Sequence, residues 1–476
     1  METDIRSKLN LLFTTHFKNE RIISCIQLPV SGSNRLYFRI TGSYNKAIGV
    51  YNNDIKENIA FLEFSKSFLS SGINVPKIYE VSNDRIFYLI EDLGPITLYD
   101  YLTETRKKEN FPQKIIDLYK KVLTELPKIQ IKAGKNINYN VCYPRKAFDR
   151  QSMMWDLNYF KYYFLKLANI NFNEQLLEND FISFTDFLLK AENSFFLYRD
   201  FQSRNIMING DKIGFIDYQG GRKGALQYDI ASLLYDAKAD IPNNIRKELY
   251  SFYLQELEKY PSVKKSDFEL YYPGYVIIRI LQSMGAYGFR GFYEKKKHFL
   301  NSIPFALDNM KHILNDYPSF KRFPELYNSL IKITESDYLK SLGIPNKKLT
   351  IDICSFSYRK GIPEDSSGNG GGFVFDCRAV HNPGRYEPYK KLTGRDTEVK
   401  KFLEEKSEML EFLVPIFSLL DQTTEKYISR GYTHLKICFG CTGGQHRSVY
   451  AAERTAKHLK KKFPVCVNLE HRELEK

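Results

Sequence analysis

The sequence predicts two folded units: a larger α+β domain in two lobes over residues 1–335, and a small α/β domain over residues 349–476. Three observations carry this expectation. Short apolar stretches separated by turn residues open the chain, and from about residue 96 they give way to a long region of helical periodicity. Residues 336–348, with Gly343, Pro345, Asn346 and a closing pair of lysines, read as a linker. Beyond them strands and helices alternate, the pattern of an α/β layer. A chain of 476 residues is too long for one ordinary core, and 43% hydrophobic content with 15% aromatics suits packed domains.

Bulk properties narrow the class. No apolar run is long enough to span a bilayer, and the opening Met-Glu-Thr-Asp-Ile-Arg is charged where a signal segment would be apolar. Seven cysteines, scattered and odd in number, form neither a disulfide framework nor a paired zinc pattern. A cytoplasmic protein with reduced thiols and no membrane partner is expected. The formal charge of +14 divides into +10 on residues 1–348 and +4 on residues 349–476. Basicity spread this thinly permits RNA binding without requiring it, because small anionic ligands fit as well.

In the smaller lobe, residues 1–94, a leading helix is expected to about residue 20. Residues 22–28 and 35–41 read as strands joined by a turn containing Ser31, Gly32 and Ser33. Residues 47–51 form a third strand, 57–70 a helix by spacing, and 86–90 a strand that runs into Glu91, Asp92, Leu93 and Gly94. The larger lobe, residues 95–335, is helical at first, with breaks at Pro112, Pro127 and Pro144. Trp155, the only tryptophan, reads first as part of a core-packing stripe and second as a platform for a sugar ring. Gly220, Gly221, Arg222, Lys223 and Gly224 read as a flexible basic loop beside the substrate, and Gly285 to Gly291 as an interruption of the later helices.

The chemistry concentrates in residues 197–217, Leu-Tyr-Arg-Asp-Phe-Gln-Ser-Arg-Asn-Ile-Met-Ile-Asn-Gly-Asp-Lys-Ile-Gly-Phe-Ile-Asp. It reads as a strand, a tight polar loop and a hairpin ending in an acid. Asp200 and Asn205 stand at the spacing of a catalytic-loop acid and a metal-binding amide, and Asp217 follows one hairpin later. A hydroxyl acceptor needs a carboxylate to orient it and take its proton, and a triphosphate needs Mg²⁺ held by a few hard oxygens. A polar hairpin could use the same residues for turn chemistry alone, but not the whole run of strand, loop, hairpin and terminal acid.

The run from Tyr198 to Asn205, followed by Ile216-Asp217-Tyr218-Gln219, resembles the aminoglycoside phosphotransferase family, and within it the bacterial kinases of the cell-wall sugars N-acetylmuramate and N-acetylglucosamine. Those carry His where this chain has Tyr198 and Gln202. The resemblance implies a bilobal protein-kinase-like fold that uses ATP and Mg²⁺. Asp200 would be the catalytic acceptor, and Asn205 and Asp217 the metal ligands. Ser31, Gly32 and Ser33 would cover the phosphates, and the backbone of Glu91 and Leu93 would pair with adenine. Asp229 would brace the catalytic loop. A lysine that would clamp the phosphates from the third strand is missing; Arg35, Arg39 and Lys46 are the candidates to replace it.

In the second domain, residues 349–356, 373–378, 434–439 and 465–469 read as strands, 397–430 as largely helical and 447–462 as a helix. Gly440-Cys441-Thr442-Gly443-Gly444-Gln445-His446-Arg447-Ser448 lies between strand and helix, where backbone N–H groups, a helix start and a guanidinium can converge on an anion. The Cys441 to Arg447 spacing also fits a cysteine phosphatase, but the preceding His is replaced by Gly440 and no separate acid stands out. With Ser355 to Pro363, Phe375 to Arg378, Asn382-Pro383, Leu392 to Asp396 and the closing His471 to Lys476, this loop resembles the C-terminal domain of the RapZ family of RNase adapter proteins. That resemblance implies a phosphosugar or nucleotide sugar bound at Gly440, Thr442, Gly443, Gly444, Gln445, His446, Arg447 and Ser448. RNA is a further expected partner of that family, left in doubt here by the lack of its basic tail. The whole reading is an ATP-dependent kinase of a sugar hydroxyl, the anomeric position of an amino sugar by resemblance. The alternative is an RNA adaptor that keeps the kinase fold only for binding.

Overall fold

The computed structural model describes residues 2–29, 35–106, 111–342, 348–363, 372–429 and 432–474. The chain forms two compact units, Met1–Gly343 and Ile344–Lys476. In the first, strands β1 (Ile22–Gln27), β2 (Leu36–Gly42), β3 (Lys46–Tyr51), β4 (Ile78–Val81) and β5 (Phe87–Glu91) make an antiparallel sheet in the order β1-β2-β3-β5-β4. Both faces of this sheet are covered. Phe38, Ile40, Ala47, Phe87 and Leu89 meet Ile5, Leu9 and Phe13 of helix α1 (Glu2–His16). The alternate residues Ile48, Val50, Tyr88 and Ile90 face the core built on α2 (Ile55–Ser70). The two-residue period of a strand sorts these side chains between the two helices. Strand β4 was not foreseen, because its four residues carry no alternation of burial.

The larger lobe is mostly helical: α3 (Leu98–Arg106), α4 (Gln113–Pro127), α5 (Arg150–Phe160), α6 (Glu174–Leu188), α7 (Gln227–Leu234), α8 (Asn243–Leu257), α9 (Lys265–Gly288), α10 (Lys297–Leu300), α11 (Ile303–Asp316), α12 (Pro324–Glu335) and α13 (Asp337–Ser341). Short strands β6 (Phe195–Leu197) and β9 (Arg222–Gly224) pair with each other, as do β7 (Ile206–Asn209) and β8 (Lys212–Phe215). Helix α13 corrects the expected linker, since Leu339 is fully buried in the first unit's core. The expected interruption at residues 285–291 is also corrected. Helix α9 runs unbroken to Gly288 and continues as a wider turn, Phe289–Tyr293. Its glycines serve close approach: a Cβ on Gly288 would stand 2.0 Å from the Tyr163 carbonyl oxygen.

The second unit is a parallel sheet of β10 (Thr350–Ser357), β11 (Gly372–Asp376), β12 (His434–Cys441) and β13 (Cys466–His471), ordered β11-β12-β10-β13. Helices α14 (Thr397–Glu405), α15 (Met409–Ser429) and α16 (Arg447–Lys462) pack on it. Ile351, Ile353, Leu435 and Ile437 are buried, as parallel strands require. Among the described residues no helix is long and apolar enough to cross a membrane.

Gly288→Ala should destabilise the first unit by about 1–3 kcal/mol, because the clash is with backbone that has no rotamer to yield. A urea unfolding midpoint equal to that of the parent chain would refute the close approach.

Candidate functional site

Strand β6 delivers the chain to a loop, residues 198–205, held from beneath by one carboxylate. Asp229 of α7 accepts the backbone N–H of Tyr198 at 2.8 Å and of Arg199 at 3.0 Å, together with Nε2 of Gln130 at 2.8 Å. Arg199 takes a left-handed backbone angle, φ 81°, which needs such support in a residue with a β-carbon. Its guanidinium pairs with both oxygens of Asp156 on α5, at 2.7 and 2.9 Å, and donates to the Tyr228 hydroxyl at 2.8 Å. Tyr198, where the resembled kinases have His, is buried and donates its hydroxyl to the Ile216 carbonyl at 2.6 Å. The loop is therefore tied to the strand end before Asp217.

Three predicted residues come together above this support. Asn205 Nδ2 donates to the Asp200 carbonyl at 2.8 Å and to Oδ2 of Asp217 at 3.1 Å. With Nδ2 so committed, Oδ1 is the atom Asn205 has left to offer a cation. Gln219 Nε2 donates to the other oxygen of Asp217 at 2.7 Å. The Asp200 carboxylate lies beside Gly220, where a Cβ would come within 3.9 Å of Oδ2. Burial and the neighbouring charge of Asp200 push the Asp217 carboxyl up, against Gln219 and Arg35. Two acids and an amide oxygen in such a place form a hard-oxygen donor set that a divalent cation would relieve of its repulsion. Mg²⁺ fits the residues present.

The remaining expectations meet varied outcomes. Ser31, Gly32 and Ser33 lie outside the described residues. Glu91 ends β5 with its N–H donated to the Lys77 carbonyl at 2.9 Å, and among the described residues no acceptor meets the Leu93 N–H. Arg222 is no part of a flexible loop. It is buried in β9, and its guanidinium holds the Gly220 carbonyl through two bonds of 3.0 Å. Trp155 is 48% exposed with Arg145 over its ring, so it is not the core residue expected. Its neighbour Asp156 faces the interior from the same helix.

In the second unit, Gly440 and Cys441 end β12 and residues 442–446 turn into α16. Thr442 and Gly443 are exposed, and Gly444 takes φ 70°. The larger side chains of the loop reach sideways to neighbouring segments. Gln445 Nε2 donates to the Leu392 carbonyl at 2.7 Å, His446 Nε2 lies 2.8 Å from the Tyr389 carbonyl, and Arg447 Nη1 donates to the carbonyls of Val380 and Arg378 at 2.7 and 3.0 Å. Arg447 is buried, and its Nε has no partner among the described residues. Cys441 Sγ is buried beneath the loop, accepting the Gly444 N–H at 3.2 Å and lying 3.1 Å from Ser448 Oγ. A thiol so enclosed is poorly placed to attack a bound phosphate.

Sequence reasoning missed Asp156, Gln130, Tyr228 and Gln219. Gln219 lay within the quoted Ile216 to Gln219 run and could have been found there. Asp156 and Gln130 act across long sequence separations and left no local signal.

Residues 26–264 match the model of the phosphotransferase enzyme family, and residues 349–475 that of the RapZ C-terminal domain. A nucleotide-binding protein of Xylella fastidiosa (strain M12) is 38% identical over 128 residues, 27% of this chain and 42% of that protein. A nucleotide-binding protein of Endomicrobium trichonymphae is 40% identical over 127 residues, 26% and 42% respectively. The chain thus spans less than half the length of these relatives. Among solved structures, the choline kinase LicA of Streptococcus pneumoniae is similar at 16% identity with a TM-score of 0.43, over 65% of this chain and 98% of that one.

Burial pushes the Asp229 carboxyl up to about 7 in spite of its three donors. Protonated in the folded chain and ionised in the unfolded one between about pH 4 and pH 7, it makes stability fall as pH rises through that window. Asp229→Asn should flatten this slope, measured by urea midpoints at successive pH values. A slope equal to the parent's would place the proton elsewhere.

Proposed function

We propose that this chain, which belongs to the phosphotransferase enzyme family and ends in a RapZ C-terminal domain, transfers the γ-phosphoryl group of ATP to a sugar hydroxyl. The resemblance favours an amino sugar phosphorylated at its anomeric position. The observation that carries the reading is the junction at Asn205, whose one amide nitrogen spans the Asp200 backbone and the Asp217 carboxylate. Asp200 orients the acceptor hydroxyl and takes its proton as the oxygen bonds to the γ-phosphorus and the bond to the β-phosphate oxygen breaks, leaving ADP. Asp217 and Asn205 would hold Mg²⁺, which when bound neutralises charge on the phosphates. Asp229 and Arg199 keep the Asp200 backbone in place throughout, so that little reorganisation accompanies transfer.

The second unit would bind a phosphosugar or nucleotide sugar at the exposed backbone of Thr442 and Gly443, while Gly444, expected beside them, is buried with its N–H on Cys441 Sγ. The exposed glycine-rich turn between β12 and the start of α16 supports this. A metabolite sensor appended to a sugar kinase is the arrangement these two sites favour.

Asp200→Asn should lower turnover on a panel of amino sugars by orders of magnitude while ATP still binds, because proton acceptance is lost and shape is kept. Full turnover in that variant would remove Asp200 from the mechanism. Asp217→Ala should weaken ATP binding only when Mg²⁺ is present, and calorimetry with and without the metal reads this directly.

For the second unit, Cys441→Ser should leave glucosamine phosphate affinity nearly intact. Arg447→Ala should cost about 1–3 kcal/mol of domain stability, because the carbonyls of Arg378 and Val380 lose their donor. Phosphate release that depends on Cys441 would contradict the binding role.

A further inference from the structure

We infer that Arg35 is the cation that grips the nucleotide phosphates in the first unit, a task for which β3 offers only an exposed lysine at its start. The inference rests on the kinase reading above. Strand β3 is Lys-Ala-Ile-Gly-Val-Tyr, and its one cation, Lys46, is exposed at the end of the sheet nearest Glu91. Arg39 is already committed. Its guanidinium makes a two-pronged bond to Asp92, at 2.7 and 3.1 Å, and a third bond to the Gly94 carbonyl at 3.1 Å.

Arg35 differs from both. Its side chain is 2% exposed, yet its donors are only partly met. Nη1 donates to the Tyr37 hydroxyl at 3.0 Å. Nη2 stands 2.9 Å from Oε1 of Glu57 but off the hydrogen-bonding direction, and Nε has no acceptor among the described residues. A buried guanidinium with unmet N–H groups is costly by itself and is matched by the oxygens of a phosphate.

Its surroundings point the same way. Glu57, in the first turn of α2, is fixed by Asn52 Nδ2 at 2.9 Å and by its own N–H on the Asp54 cap at 3.1 Å. The Arg35 to Glu57 pair thus sets the guanidinium against a rigid helix start, as a lysine and a helix glutamate do in protein kinases. The positive charge of Arg35 also acts on Asp217, across the cleft in the larger lobe. Strand register fixes the distance from the connection between the lobes. Glu91 lies level with Ala47 and Ile40, while Arg35 precedes Leu36, which lies level with Tyr51 and Phe87. From Ile40 to Leu36 is about 13 Å along the strand at roughly 3.3 Å per residue. A nucleotide with its base at the connection therefore extends its phosphates toward Arg35.

The test is calorimetry of the full chain with Mg²⁺-ATP and with adenosine, beside a turnover assay on amino sugars. The parent chain should prefer ATP over adenosine. Arg35→Ala should reduce that preference about ten- to hundredfold and leave adenosine affinity unchanged. Arg35→Lys should recover part of it, as a point charge replaces a fork. If Arg35 only braced α2, Arg35→Ala and Glu57→Gln would lose ATP and adenosine binding alike, and that result overturns the inference. So does an unchanged preference in Arg35→Ala, and with turnover intact in the parent chain it leaves the kinase reading standing. A parent chain that binds no ATP removes both.

Discussion

The loop that carries Asp200 depends on one buried carboxylate. Asp229 lies fully buried and gathers the N–H groups of two consecutive residues, Tyr198 and Arg199, that no strand or helix claims. Without it the backbone would leave two donors unmet in the interior, and the left-handed turn at Arg199 would have nothing to enforce it. The orientation of Asp200 follows from that turn, and the position of Asn205 follows from Asp200 through its carbonyl. Arg199 then spreads the restraint to α5 through Asp156. A short stretch of loop is thereby held from two helices at once, the kind of preorganisation that transfer chemistry rewards.

The second unit solves a similar problem by different means. Its loop after β12 is not braced by a buried acid but by its own side chains, each reaching a carbonyl on a neighbouring segment. Gln445, His446 and Arg447 fix residues 378–392 around the turn, and the backbone of Thr442 and Gly443 stays exposed. Side chains spent on structure leave recognition to N–H groups, which suits an anionic ligand of small size.

Much of this was legible in the sequence, for reasons that differ by element. The strands β2, β3 and β5 were legible as short apolar stretches bounded by turn residues, and α16 matched its expected bounds because the glycine-rich turn and Phe463 mark its ends. The convergence of Asp200, Asn205 and Asp217 was legible because the chemistry proposed for them demands a fixed spacing along the chain. What escaped was long-range or concealed by composition. Helix α13 looked like linker because five residues carry little periodicity, and only burial of Leu339 reveals its packing. Trp155 looked like core because an aromatic among apolar residues usually is. The glycines near residue 288 looked like breaks, when their small size lets α9 lie against Tyr163.

The bridge from Arg39 to Asp92 and Gly94 gives the first unit a pivot. It ties β2 to the connection between the lobes, so any rotation of the sheet about that tie would leave the residues beside it nearly in place. Arg35 sits at the far end of the same strand, on a lever arm of about 13 Å by strand geometry. A turn of about 10° would sweep it through roughly 2 Å, enough to take a hydrogen bond from ideal length to none, while atoms beside the pivot scarcely shift. Any such rotation would therefore be magnified at Arg35 and damped beside Asp92.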